Sequence, residues 1–143
     1  MTYQDCLDFL YNSLPIFQNQ GKTAFNKDLK RTIQLCAYLD SPHTSLQFIH
    51  VAGTNGKGSV CHLLASVLKE NNFKVGLYTS PHLIDFRERI MFNGNLIDKT
   101  YIVEFISEHQ SFINELKPSF FELTFALALC YFKDQRTDYV ILE

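Results

Sequence analysis

Seven consecutive residues, Gly53-Thr54-Asn55-Gly56-Lys57-Gly58-Ser59, carry the groups needed to hold a chain of phosphates. Their three glycines let the backbone approach an anion closely and adopt positive φ, and the unpaired N–H groups at a helix start point at whatever lies there. Lys57 adds a positive charge where the phosphates would lie, and Ser59 adds a hydroxyl suited to a phosphate-bound Mg2+. The usual form of such a loop, G-x-x-x-x-G-K-[ST], is not met. It would want glycine where Val51 stands, and Gly58 separates Lys57 from the hydroxyl. The competing reading is a surface turn with an incidental lysine, and the elements on either side weigh against it.

Those elements are a strand and a helix. Phe48 to Ala52 reads as a buried strand, and Val60, Leu63, Leu64, Val67 and Leu68 recur at helical spacing after the turn. Asn71-Asn72 then turns the chain into a second strand, Lys74 to Thr79. The stretch from Gln47 to Thr79 has the length of a βαβ crossover, which makes its two strands parallel. Parallel sheets bind ligands at the carboxyl ends of their strands, so Gly53 and Ser80 are expected to face one cleft. Asp138 to Leu142 reads as a further buried strand that ends in Glu143. A carboxylate there suits Mg2+, which takes hard oxygen ligands beside phosphates. Ser80 also fits an ordinary turn, and Glu143 a surface acid at a frayed end. Chains rarely stop at the last residue of a central strand, so the 143 residues are expected to be the front part of a longer protein.

The remaining chain supplies a frame. Thr2 to Leu14 has Tyr3, Cys6, Leu7, Leu10 and Leu14 at amphipathic spacing, with Thr2 and Asp5 placed to satisfy the first N–H groups and Pro15 near the end. Residues 17–27 read as a loop. A second helix follows Asp28 as N-cap, with Leu29, Ile33, Cys36 and Ala37 on one face, and Asp40-Ser41-Pro42-His43 closes it. Arg89 to Ile97 alternates around Asn93-Gly94, the signal of a two-residue hairpin expected to project from the sheet. Asp98 to Leu116 is a helix with Ile102, Phe105, Ile106, Ile113 and Leu116 inward. Phe120 to Phe132 is apolar nearly all round, as in a buried helix. Ser119-x-x-Glu122 ahead of it fits a capping box. His50, His62, His82 and His109 show no partner at useful spacing, and Arg87, Glu88 and Arg89 read as a solvated or ion-paired structural stretch.

Composition narrows the class. With 46% hydrophobic residues the chain can build the core of one domain. Thirteen Lys plus Arg against 15 Asp plus Glu leave no global field to draw it to nucleic acid or anionic lipid, so any anion binding is local. The four cysteines form no C-x-x-C pair, and three lie on apolar helix faces. They read as reduced core thiols of a cytoplasmic protein. No basic leader precedes an apolar core, and no apolar run approaches the roughly 20 residues that span a bilayer.

Five runs, GTNGKGS (Gly53 to Ser59), YTSPHL (Tyr78 to Leu83), ERI (Glu88 to Ile90), SFFE (Ser119 to Glu122) and VILE (Val140 to Glu143), occur in order. In them the chain resembles the amino-terminal third of the folylpolyglutamate synthase and dihydrofolate synthase family, ATP-dependent ligases related to the Mur ligases. The resemblance implies an α/β fold with a P-loop in a mostly parallel sheet flanked by helices, with a small β-hairpin. It makes residues 1–143 an incomplete Mur-ligase-type central domain, the amino-terminal part of the ATP-binding domain, without the carboxy-terminal domain. It implies that Gly53, Thr54, Asn55, Gly56, Lys57, Gly58 and Ser59 bind ATP, with Lys57 and Glu143 catalytic, and that Ser80 and Glu143 hold Mg2+. It also implies that Ser119, Phe120, Phe121 and Glu122 contact the pterin end of the substrate, as does a stretch at Asn26 to Leu29, where the family's glycine is Asp28. The implied reaction joins L-glutamate to folate or dihydropteroate through an acyl phosphate in a monomer, and the fragment is expected to be inactive alone. Another Mur-superfamily amide ligase and a non-catalytic nucleotide-binding remnant are the alternatives.

Overall fold

A computed structural model describes residues 1–12, 14 and 28–143. The expectations for Pro15, for residues 17–27 and for Asn26 and Lys27 of the 26–29 stretch lie outside the described residues. By internal packing the chain divides into two compact units, Met1–Ser41 with Lys99–Leu127, and Pro42–Asp98 with Ala128–Glu143.

The first unit is helical. Its helices are α1 (Tyr3–Asn12), α2 (Lys30–Tyr38), and another numbered below as α4 (Lys99–Leu116), with the opening turns of the helix Phe120–Asp134. At α1 the Thr2 hydroxyl accepts from the Asp5 N–H at 3.1 Å while the Asp5 carboxylate accepts from the Thr2 N–H at 2.7 Å. Two first-turn donors are thus satisfied reciprocally. Cys6 and Leu10 of α1 face inward, as do Ile102, Phe105, Ile106 and Ile113 of α4, and the two helices pack together. In α2 the expected face is corrected. Leu35 and Cys36 are buried, whereas Leu29 and Ile33 are 67% and 63% exposed. Apolar residues form two stripes on this short helix, and periodicity does not say which one the core takes. Asp28 accepts from the Lys30 N–H at 2.9 Å, and Leu29 occupies the N-cap position.

The second unit holds the sheet. Its strands are β1 (Phe48–His50), β2 (Val75–Tyr78), β3 (Ile90–Phe92), β4 (Asn95–Leu96) and β5 (Tyr139–Leu142), in the order β1-β5-β2-β3-β4. The β1–β5 and β5–β2 pairings are parallel; β2–β3 and β3–β4 are antiparallel. The sheet is therefore mixed rather than mostly parallel. The crossover helix α3 (Lys57–Glu70) joins β1 to β2 as the spacing predicts, with β5 inserted between the two strands. One face packs Val75, Leu77 and Ile141 against Cys61, Leu64, Ala65 and Leu68 of α3. On the other, Phe132 of α5 (Phe120–Asp134) lies so close to Gly76 that a Cβ there would come within 2.7 Å of its ring. Only glycine leaves room for that ring.

Three further expectations are corrected. β1 is not buried: among the described residues it pairs with β5 alone, and Phe48 is 39% exposed. On α3 the inward residues are those just named, while Val60, Leu63 and Val67 are 45%, 67% and 60% exposed. Finally, the β3–β4 hairpin does not project; it extends the sheet. Asn93 and Gly94 have positive φ of 48° and 82°, the signs of a two-residue I′ turn. Asn93 then binds Val75 twice, its N–H donating to the carbonyl and its side-chain oxygen accepting from the N–H, each at 2.9 Å.

Candidate functional site

Three parallel strands end side by side, and each delivers one predicted site element at its carboxyl end. β1 leads to the turn Gly53–Ser59, β5 to Glu143, β2 to Ser80. Backbone bonds lock this register: the Val51 N–H donates to the Leu142 carbonyl at 2.8 Å and the Glu143 N–H to the Tyr78 carbonyl at 2.9 Å. Gly56 is the N-cap of α3 in a left-handed conformation, φ 76°, which glycine adopts at little cost. No side chain caps the helix there, which leaves its first-turn N–H groups without a capping side-chain oxygen.

Glu143 stands at the centre. Its Oε2 accepts from the Ser80 N–H at 3.1 Å, which ties the ends of β5 and β2 together. Across from it lies Gly58, where an added Cβ would sit 3.9 Å from both carboxylate oxygens. The Lys57 side chain folds back along the turn, its Cγ 3.8 Å from where a Gly53 Cβ would be. Cys61, fully buried one turn into α3, registers both charges: burial pushes its thiol up, Glu143 adds to the rise and Lys57 opposes it. A carboxylate and an uncapped helix start thus lie side by side at the strand ends, next to the turn that carries Lys57, with Lys57, Gly58, Ser80 and Glu143 half-buried and Gly53, Thr54, Asn55, Gly56 and Ser59 exposed.

Among the described residues no group of three or more His, Cys, Asp or Glu side chains could hold a metal. The side-chain donors that these strand ends carry are oxygens: the Glu143 carboxylate, with Gly58 presenting no side chain to it, and the hydroxyl of Ser80, the residue whose N–H that carboxylate accepts from. That set fits Mg2+, which takes few protein oxygens and keeps water and phosphate for the rest.

Ser119 to Glu122 belong to the other unit. There the Ser119 hydroxyl accepts from the Glu122 N–H at 3.2 Å and the Glu122 carboxylate from the Ser119 N–H at 2.7 Å, a complete capping box. Glu122 also accepts from the Thr32 hydroxyl at 3.4 Å. Ser119 and Phe120 are buried, and the Phe120 ring stacks on Tyr11 at 5.5 Å. Phe121 and Glu122 are the half-exposed members of the run.

Two histidines expected to lack partners have them. His82 Nδ1 accepts from Arg89 Nε at 2.8 Å, and Arg89 is buried rather than solvated. His109 packs edge-on to Tyr38 and Phe105. Asp85-x-x-Glu88 is a capping box that the sequence reading passed over, although its spacing matches the one recognised at Ser119. Arg87 pairs with Asp85 at 2.7 Å, as an ion-paired stretch requires.

Comparison with known proteins follows the same residues. No family profile matches the chain. It is 36% identical, over its full length and 17% of the relative, to a probable bifunctional folylpolyglutamate synthase/dihydropteroate synthase of Haloferax volcanii. It is 35% identical, over 99% of the chain and 33% of the relative, to the dihydrofolate synthase/folylpolyglutamate synthase of Bacillus subtilis. Among solved structures, folylpolyglutamate synthase of Thermotoga maritima superposes with a TM-score of 0.85 at 34% identity, over 99% of this chain and 32% of that one. The apo enzyme of L. casei gives 0.88 at 31%, over 100% and 35%. The mixed sheet, its crossover helix and the match to these structures define an α/β protein of the Mur-ligase type. Within that class the chain belongs to the folylpolyglutamate synthase/dihydrofolate synthase family. It spans about a third or less of the length of these relatives.

Proposed function

We propose that this chain carries the phosphate- and metal-binding part of an ATP-dependent ligase that joins L-glutamate to folate or dihydropteroate. On this reading residues 1–143 are the amino-terminal part of the ATP-binding domain, working in the cytoplasm as a monomer. The observation that carries it is the Glu143 carboxylate held by the Ser80 N–H and facing Gly58 across an uncapped helix start. A folylpolyglutamate synthase of the same fold is known as a complex with AMPPCP and folate, at 31% identity to this chain and a TM-score of 0.87.

In the proposed scheme the γ-phosphoryl of ATP passes to the substrate carboxylate, and the amine of glutamate displaces phosphate from the acyl phosphate. Such transfer needs positioning and charge stabilisation more than covalent help from the protein. The N–H groups of Thr54 to Ser59 and the Lys57 amine hold the β- and γ-phosphates. Ser80 and Glu143 would hold Mg2+, which when bound offsets the negative charge between phosphate oxygens. Phe121 offers ring surface to the pterin, while Ser119 and Glu122 fix the helix start that presents it.

Titration of the full chain with Mg-ATP is expected to move the amide resonances of Gly53 to Ser59. In the full-length ligase, Lys57→Ala should lower turnover by about 10²- to 10³-fold, the cost of losing one preorganised charge-stabilising donor. Undisturbed turn amides, or undiminished turnover, would refute the assignment.

A further inference from the structure

Glu88 takes no part in the scheme above, yet it fastens both ends of the loop that follows β2. Its Oε2 accepts from the Leu83 N–H at 2.8 Å, and its Oε1 from the N–H groups of Ile84 at 3.0 Å and Asp85 at 2.7 Å. Three successive backbone donors converge on one side chain. At the loop's other end the Thr79 hydroxyl donates to the Glu88 carbonyl at 3.4 Å and the Thr79 N–H to the Arg89 carbonyl at 3.1 Å. Thr79 is bonded directly to Ser80, whose own N–H reaches Glu143. Ser80 therefore lies between two fastenings, both made by Glu88 and its neighbour.

Apart from His82, which accepts from Arg89 and packs edge-on to Phe86, packing does not explain this loop. Leu83 and Ile84 are 89% and 93% exposed, so neither anchors the tip in a core. A segment without buried apolar contacts opens easily unless polar bonds hold it, and bonds to a carboxylate are roughly twice as strong as those between neutral groups. The backbone N–H groups of Leu83 first, then of Asp85 and Ile84, also hold the Glu88 carboxyl below the usual glutamate range.

We infer that Glu88 is a positioning residue: it holds residues 80–85 in the shape that presents Ser80 to Glu143, and through Ser80 it sets the affinity of the site for Mg-ATP. The second half of this inference rests on the nucleotide reading; the first half does not.

The test uses Glu88→Gln and Glu88→Asp in the full chain. Glutamine leaves one neutral acceptor oxygen for three donors, and aspartate restores the charge on a shorter arm. In Glu88→Gln, amide exchange at Leu83, Ile84 and Asp85 should accelerate, and the Ser80 amide resonance should shift. Mg-ATP affinity measured by calorimetry should fall about tenfold, in line with the loss of a hydrogen bond to a charged group. Glu88→Asp should recover part of each change. A folded Glu88→Gln protein with the wild-type Ser80 resonance and affinity would make Glu88 merely structural and overturn the inference. If that variant does not fold, Glu88→Asp decides by the same readouts. Should the wild type bind no Mg-ATP, the nucleotide reading fails, and the Ser80 resonance alone decides whether Glu88 positions the loop.

Discussion

At Gly58 two demands on one residue pull apart. A helix's first turn favours alanine over glycine by roughly 1 kcal/mol, and a Cβ at 3.9 Å from both Glu143 oxygens is an ordinary contact. Gly58→Ala should therefore fold at least as stably as the parent. The same methyl group would occupy the gap between the carboxylate and the turn, where phosphate and cation are proposed to sit. Mg-ATP affinity is expected to fall about tenfold, the scale on which a pocket rejects one extra methyl group. A stabilised variant with unchanged affinity would show that nothing binds in that gap. Residue types and spacing alone pointed to Lys57, Gly58, Ser80 and Glu143, because a charged turn and an acid at strand ends are unusual enough to be noticed. Glu88 was passed over because it stands among charges that read as solvated surface. Its role depends on where the N–H groups of Leu83 to Asp85 point, which no spacing rule encodes.

Among the elements, the tightest constraint is a glycine inside a strand. Gly76 is buried on β2, and three ring atoms of Phe132 lie 2.7 to 2.9 Å from where its Cβ would be. Those atoms are ring carbons of a fully buried side chain, so they have little freedom to retreat. Gly76→Ala should cost about 1–3 kcal/mol, the range for overpacked cores, seen as a lower urea midpoint. Adding Phe132→Leu should recover part of the loss, and a strictly additive double mutant would place the cost elsewhere. Element types were legible because caps and turns have local causes: the Thr2 and Asn93-Gly94 signals each act within a few residues, while Asp28, expected as N-cap, bonds the Lys30 N–H from one residue outside the Leu29 cap. The facing of α2 and α3 was not, since each carries two apolar stripes and the core takes one. The place of β1 was equally hidden. A short apolar run reads as buried until its neighbours are known, and β5, which pairs with it, lies about 90 residues away in sequence.

For the molecule as a whole, composition indicated one domain's core and a nearly balanced charge, and in the structure no described helix is long and apolar enough to cross a membrane. How its stability depends on pH follows instead from groups whose surroundings only the fold creates. On the acid side, burial first and Arg89 second hold the His82 imidazole below its ordinary 6.5, so the unfolded chain takes up a proton that the folded one refuses. Stability is present above pH 6.5 and falls as the pH drops through the lower folded value. Asp5 and Glu88, held low by hydrogen bonds from the backbone, add a second decline below the ordinary carboxylate range. On the alkaline side, burial pushes the Tyr78 hydroxyl up from 10.0 to about 12. The unfolded chain loses that proton first, so stability should fall as the pH rises from about 10 toward 12. The thiols of Cys6, Cys36 and Cys61, pushed up from 9.0 by burial, start this decline earlier, so urea midpoints should plateau between about pH 6.5 and 9 and decline on either side. Tyr78→Phe tests the alkaline limb in particular, because it removes the titrating group while keeping the ring. Its midpoint should decline less steeply above pH 10 than that of the parent, with the acid limb unaltered. Identical alkaline limbs would mean that other groups, not the phenol at the end of β2, open the fold at high pH.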